Sequence, residues 1–287
     1  VLMPGYEPLI EMADIIKVDF RITENPKERQ KMRDILPGHV RLLAEKIETE
    51  EEFRQAVGFG YVLFQGYFFC KPTILHQRKL TSNALSRMRL LKEINRQDVD
   101  FASVTSAISS DTNLVHKLLT YINSAGIGLT NHVSNLKQAT LLLGASGMWR
   151  WVTLISLQTL SQDKPSELFT ISLLRAKFCE LIAYDLKRPS LTPDTGFLIG
   201  MFSLLDVLLS LPMEEVLKEV ALTDDLNDAL LGKDNELRRI LDLIIAYEQG
   251  DWNKVLTYCK REHIAPECVA QCYDEALEWY NLVQSVS

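Results

Sequence analysis

Basic charge is in short supply: 31 Lys and Arg stand against 38 Asp and Glu, for a net charge of −7. A general nucleic-acid binder needs a basic surface to displace counterions, so that class is disfavoured, although a local basic patch is not. Long apolar runs are also missing. No segment reaches the roughly 18–20 residues that a membrane span needs. The nearest, Phe197 to Leu211, is interrupted by Asp206 and reads as a buried core helix. No basic-then-apolar leader opens the chain, so no signal peptide is expected. The five cysteines, Cys70, Cys179, Cys259, Cys268 and Cys272, are odd in number and scattered, which points to reduced thiols in a cytoplasm. Cys268 and Cys272 stand one helical turn apart, but no C-x-x-C pair occurs, and buried thiols are expected. His39, His76, His116, His132 and His263 are dispersed, and no His-Asp dipeptide occurs.

What is present is an ordinary globular composition, 47% hydrophobic and 24% charged, over 287 residues. That length corresponds to about two domains. The first stretch, residues 1–72, alternates in type. Ile15 to Phe20 is a β-branched apolar run suited to a buried parallel strand. Pro26 to Leu36 reads as a helix, and His39 to Ile47 as a second strand. Thr49 caps a helix to about Val57, with Glu52 as its capping-box partner. Gly58 and Gly60 stop that helix, and Tyr61 to Phe69 returns to strand character. The β-α-β-α-β rhythm predicts right-handed crossovers and a parallel sheet.

Residues 73–87 read as a polar linker. It leads into a basic helix with Arg87, Arg89, Lys92 and Arg96, read as a solvated face. From residue 88 to the end, helical spacing takes over. Asp100 and Asp111 start helices; Asn123 to Gly126 ends the second. Leu136 to Leu143 is a short helix stopped by Gly144, and Met148 to Leu160 is another. A helix from Pro165 to about Leu186 and an apolar stretch from Pro193 to Leu211 follow. Pro212 opens the next helix, with Glu214 and Glu215 in its first turn. Helices over 225–231, 235–247, 252–261 and 266–283 complete an all-α bundle.

Three segments of the first region carry a resemblance: Ala13 to Phe20, Leu43 to Thr49, and Phe64 to Pro72 with its Gln65-Gly66-Tyr67 and Lys71-Pro72. Together they resemble the closing third of an EAL domain, the cyclic di-GMP phosphodiesterase barrel. The resemblance implies a fold class of α/β plus all-α: a truncated TIM-type barrel followed by a helical bundle. Such an enzyme needs two divalent cations held by acidic side chains at the carboxyl ends of barrel strands. Lys17 aligns with the family lysine beside the nucleophilic water, Glu45 with the acidic residue of Ala-Glu-Gly-Val-Glu-Thr, and Gln65 with the glutamine of Gln-Gly-Tyr. Asp19 and Glu48 join them as ligand-binding candidates. Two departures stand out: Lys46 replaces the motif glycine, and Val62 stands where the family usually has Asp. The Glu of the naming motif and the Asp-Asp pair that binds metal are missing. Glu275-Ala276-Leu277 and Asp224-Asp225 imitate them but lie in helical patterns, the latter read as helix capping.

The second region, about residues 88–285, resembles the HDOD family, a relative of the HD phosphohydrolases. Its carriers include Tyr121 to Ala125 with Asn123 and Ser124, Gly144, Trp149-Arg150-Trp151, Gly200 to Asp206, and Ala246 to Trp252. Trp149 and Trp151 should point to opposite sides of their helix, and Asp206, set in an apolar helix, should be buried and hydrogen-bonded. Without a His-Asp motif no two-metal site is expected there.

The combined resemblance to EAL–HDOD signalling proteins implies a bacterial, cytoplasmic regulator acting as a catalytically inactive scaffold. Protein partners of a signalling pathway and a homodimer are the implied contacts. No membrane or nucleic acid is expected, and binding of cyclic di-GMP is left open. No cofactor and no metal are expected, Mg or Mn entering only if an upstream segment completes the barrel. That alternative, a piece of an active or nucleotide-sensing phosphodiesterase, stays open because the chain does not begin with Met. Three strands cannot close a barrel, so the sheet edges should be covered by the helical region, by a second copy or by such a segment.

Overall fold

The computed structural model describes residues 7–23, 25–66, 88, 90–92, 94, 101–123, 132–161 and 164–284. The chain divides into two units, Val1–Pro72 and Thr73–Ser287. The first begins with the short helix α1 (Glu7–Met12), none of whose residues is buried. Strands β1 (Ile15–Asp19), β2 (Arg41–Glu45) and β3 (Leu63–Gln65) follow, alternating with helices α2 (Pro26–Ile35) and α3 (Glu50–Gly58). The strands form one parallel sheet in the order β1-β2-β3, with Asp19 opposite Glu45 and Glu45 opposite Gln65. A parallel sheet with helical crossovers is what the alternating pattern predicts.

Local chemistry sets the element ends. Asn25 accepts from the Lys27 N–H, and Pro26 occupies the first helical position, where its missing N–H costs nothing. Thr49 and Glu52 form the expected capping box before α3.

One face of the sheet carries Val18, Leu42 and Ala44. They pack with Phe20, Met32, Leu36, Ile47, Ala56 and Tyr61 into the core of this unit. Alternation puts Lys17, Leu43, Glu45, Leu63 and Gln65 on the opposite face. There Lys17 and Gln65 are exposed and the others half-buried.

The second unit is all-helical in its described residues. It comprises α4 (Phe101–Ser109), α5 (Thr112–Ile122), α6 (Leu136–Leu160), α7 (Ser166–Leu186) and α8 (Pro193–Phe202). After these come α9 (Leu205–Leu209), α10 (Met213–Val220), α11 (Asp224–Leu230), α12 (Glu236–Glu248), α13 (Trp252–Glu262) and α14 (Pro266–Gln284). Asp111, Asn135, Asn235 and Asp251 cap their helices through side-chain oxygens. Helices α7 and α8 pack tightly because Gly196 and Gly200 lack side chains: a Cβ at Gly200 would stand 2.4 Å from the Arg175 carbonyl oxygen.

Two expectations need correction. The apolar run from Phe197 to Leu211 is not one helix. It breaks at Leu204, whose ψ of 18° leaves the helical range, and Ser203 donates to the Gly200 carbonyl at 2.7 Å. Asp206 therefore lies in the first turn of α9, not within a continuous helix. Asp224 and Asp225 begin α11, but the cap position is Thr223 and no side chain caps it; their acidity suits the positive end of the helix dipole instead.

Candidate functional site

The carboxyl ends of β1, β2 and β3 bring Asp19, Glu45 and Gln65 side by side. Each carboxylate there meets an ammonium group. Lys17 Nζ stands 3.3 Å from Glu45 Oε1. Lys46 Nζ stands 2.5 Å from Asp19 Oδ2. Asp19 Oδ1 also accepts from the backbone N–H groups of Arg21 and Ile22, at 2.9 and 3.3 Å. Burial pushes the Asp19 carboxyl up, but Lys46 and these two N–H groups outweigh it and hold it below the usual carboxylate value. Glu48 forms an ion pair with Arg21, and its backbone N–H donates to Glu52 Oε2.

Two backbone features explain motif residues. Lys46, in the place of the motif glycine, has φ of 60°. That region suits glycine and strains a residue with a Cβ. Gly66 lies against Ile47: a Cβ there would fall 2.1 Å from the Ile47 carbonyl oxygen. The Ile47 N–H donates to the Gln65 carbonyl at 3.1 Å. Close backbone approach thus fixes a glycine after Gln65 and locks the end of β3 to the loop carrying Lys46 and Glu48. Tyr67 to Pro72, the rest of that motif, lie outside the described residues.

Arg29, which sequence reasoning passed over as part of a charged helix, props up the same rim. It is buried, and donates to the carbonyls of Phe20 and Thr23, each at 2.5 Å. Its guanidinium lies 4.2 Å from the centre of the Phe20 ring. Tyr61 donates from its hydroxyl to the Arg29 carbonyl at 2.9 Å, and burial pushes its pKa up to about 12. The loop after β1, and so Asp19, is held from beneath by these contacts.

In the helical unit the signature residues sit apart and serve different ends. Asn123 ties the end of α5 to Val133: Nδ2 donates to the carbonyls of Leu119 and Val133, at 2.7 and 2.8 Å, and Oδ1 accepts from the Val133 N–H at 2.7 Å. Ser124 lies outside the described residues. Gly144 breaks α6 with φ 64° and ψ −174°, a combination open essentially to glycine alone. Trp151 is buried and Trp149 half-buried. Between them, Arg150 joins three helices, bonding Asp194 on α8 at 2.6 Å and pairing with Glu180 on α7. Asp206 is half-buried, and its Oδ1 accepts from the Val207 N–H at 2.8 Å; burial raises its carboxyl.

His39, His116, His132 and His263 are all exposed, and His76 lies outside the described residues. Lys92 of the basic run is exposed, 3.9 Å from Glu219; Arg87, Arg89 and Arg96 are outside the description. Among the described residues, one cluster has metal-ligand character, Asp185 with Cys268 and Cys272. Sequence spacing does not single out Asp185, which lies 83 residues from Cys268 along the chain. No helix among the described residues is long and apolar enough to cross a membrane.

Comparison with known proteins adds the following. The sequence profile of the HDOD domain matches residues 81–225. An uncharacterised Bacillus subtilis protein, YuxH, is 36% identical over 285 residues, covering 97% of this chain and 68% of its own length. The cyclic di-GMP phosphodiesterase CdgJ of Vibrio cholerae is 34% identical over 281 residues, covering 97% of this chain and 65% of its own. The chain thus spans about two thirds of the length of these curated relatives. A solved structure from Marinobacter aquaeolei VT8 overlays 91% of this chain and 83% of its own with a TM-score of 0.48, at 12% identity.

Proposed function

This chain belongs to the HDOD-domain family, and on that premise we propose that it is a bacterial, cytoplasmic signal-transduction protein linked to cyclic di-GMP, working through protein contacts and not through hydrolysis. The first unit is the closing part of an EAL barrel. Its three parallel strands and their crossovers support this, as do Lys17, Glu45 and Gln65 at or near the strand ends. The relative named as a cyclic di-GMP phosphodiesterase supports the signalling link.

The observation that carries the scaffold reading is the pairing of Asp19 with Lys46 and of Glu45 with Lys17. Phosphodiester hydrolysis on paired divalent cations requires carboxylates that converge on metal. Here each strand-end carboxylate is matched by a positive charge, one of them on a lysine that replaces the motif glycine. Partner proteins would then be engaged by the helical unit.

A second reading is favoured by the preserved Lys17–Glu45 contact: within a longer protein, the same strand ends would complete a nucleotide site. One experiment tests the first reading. This chain, incubated with cyclic di-GMP and Mg or Mn, is expected to yield no linear product and to show no heat of binding in calorimetry. Turnover would overturn the scaffold reading; binding without turnover would replace it with a sensor.

A further inference from the structure

The two cysteines of α14 that look unremarkable in the sequence share a carboxylate. Cys268 and Cys272 fall on one face of the helix, one turn apart. Helix α7 ends beside them with Asp185. Its Oδ2 accepts from Cys268 Sγ at 3.1 Å and from Cys272 Sγ at 3.6 Å. All three potential ligand atoms lie within 4.8 Å of one another.

We propose that Asp185, Cys268 and Cys272 form a binding site for a thiophilic divalent cation of the zinc class. The geometry suits it. With bonds of about 2.3 Å to sulfur and about 2.0–2.2 Å to oxygen, ligands around a tetrahedral cation stand about 3.5–3.8 Å apart. The two sulfur–oxygen separations, 3.1 and 3.6 Å, need only small adjustments to reach that spacing. Two thiolates and a carboxylate match a borderline-soft ion and not magnesium or calcium, which take oxygen ligands.

The electrostatics agree from an independent direction. Asp185 lies in the last turn of α7, at the negative end of the helix dipole, with no basic residue in that turn. Acid is disfavoured there and cations are favoured. Among the described residues, no lysine or arginine forms an ion pair with Asp185. Access is open as well: Asp185 is exposed and Cys268 half-exposed, with Cys272 forming the buried floor.

Three protein ligands leave the fourth position of a tetrahedral ion open, as in sites that bind water or an exchangeable ligand. Burial, and next the Asp185 carboxylate, raise the Cys268 thiol; burial, the neighbouring thiol and Asp185 raise Cys272. An ordinary cysteine thiol is protonated near neutrality. Binding replaces two S–H bonds by two metal–sulfur bonds and releases two protons to solvent, so affinity rises with pH. The site lies outside the sheet unit and, through α14, beyond the segment matched by the HDOD profile.

The test is titration of the reduced, metal-free chain with Cd²⁺, following the ultraviolet thiolate-to-metal absorption, with Zn²⁺ as competitor. One Cd²⁺ per chain, two protons released, displacement by Zn²⁺ and a raised melting temperature are expected. Cys268→Ser and Asp185→Asn change accessible positions, so folding is spared. Each is expected to weaken binding by more than about tenfold, since loss of even an outer-shell partner costs about 10–100-fold. Absence of the band at one equivalent of Cd²⁺, or unchanged affinity in either variant, would overturn the assignment.

Discussion

Lys46 reaches Asp19 across the carboxyl end of the sheet from a left-handed backbone: its φ is 60°, and the contact measures 2.5 Å. The lysine that charges this rim therefore also strains the loop. For an L-residue, that conformation costs about 1–2 kcal/mol. The ion pair, with Lys46 half exposed, returns no more than about 1 kcal/mol.

Lys46→Gly is accordingly expected to keep the stability of the chain within about 1 kcal/mol of the parent. Lys46→Val, which loses the ion pair and keeps the strain with a β-branched side chain, should lose about 1–2 kcal/mol. Urea denaturation of the two variants checks this. In Lys46→Gly, the Asp19 carboxyl should also move up toward its ordinary value, measurable by NMR titration.

Asp206 gives a pH signature. Burial raises its carboxyl, and the Val207 N–H only partly opposes this. The folded chain thus holds that proton more tightly than the unfolded chain. The associated stability is present below the ordinary carboxylate value and is lost as pH rises through the raised folded value. Asp206→Asn removes the loss while keeping an acceptor for Val207. Its melting temperature relative to the parent should improve as pH rises above the ordinary carboxylate value; a constant difference would contradict this.

Two glycines, one in the contact of α7 with α8 and one at the end of α3, should respond oppositely to alanine. Gly200→Ala places a methyl group 2.4 Å from the Arg175 backbone and should destabilise by about 1–3 kcal/mol or more. Gly58→Ala, at the last residue of α3 with nothing within 4 Å, should stabilise by about 0.4–1 kcal/mol. Thermal melts of both variants decide.

Asn123 is expected to be a structural staple. Asn123→Asp retains the acceptor for the Val133 N–H but loses both side-chain donated bonds; the Leu119 carbonyl keeps the Asn123 backbone N–H, whereas the Val133 carbonyl loses its side-chain donor. The expected cost is about 1–3 kcal/mol by urea denaturation.

Much of this architecture is legible in the residues. The β-branched run at Ile15, the Thr49–Glu52 capping box and the helix stop at Gly144 each encode a local conformation that packing leaves unchanged. The break at Leu204 is not legible, because an apolar stretch gives no local stop signal and the interruption comes from Ser203 turning back on Gly200. At the candidate site, the presence of Lys46 predicts recharging, but its choice of Asp19 depends on the parallel register. Arg29 escapes notice because a buried guanidinium looks like any charged helix residue until its carbonyl partners are known. Asp185 escapes for a similar reason: its neighbours are set by the packing of α14 along α7, not by sequence spacing.

The parallel order of β1, β2 and β3 also has a kinetic meaning. Ile15 meets Arg41, and Leu43 meets Leu63, only after an intervening helix has been carried across the sheet. Chain entropy must be surrendered before any of these pairings gives a return. The α7–α8 hairpin closes over a short connection, so its contacts can form early. Newly made chains should therefore expose the sheet unit longest, and its unpaired strands are where chaperone binding or self-association would begin.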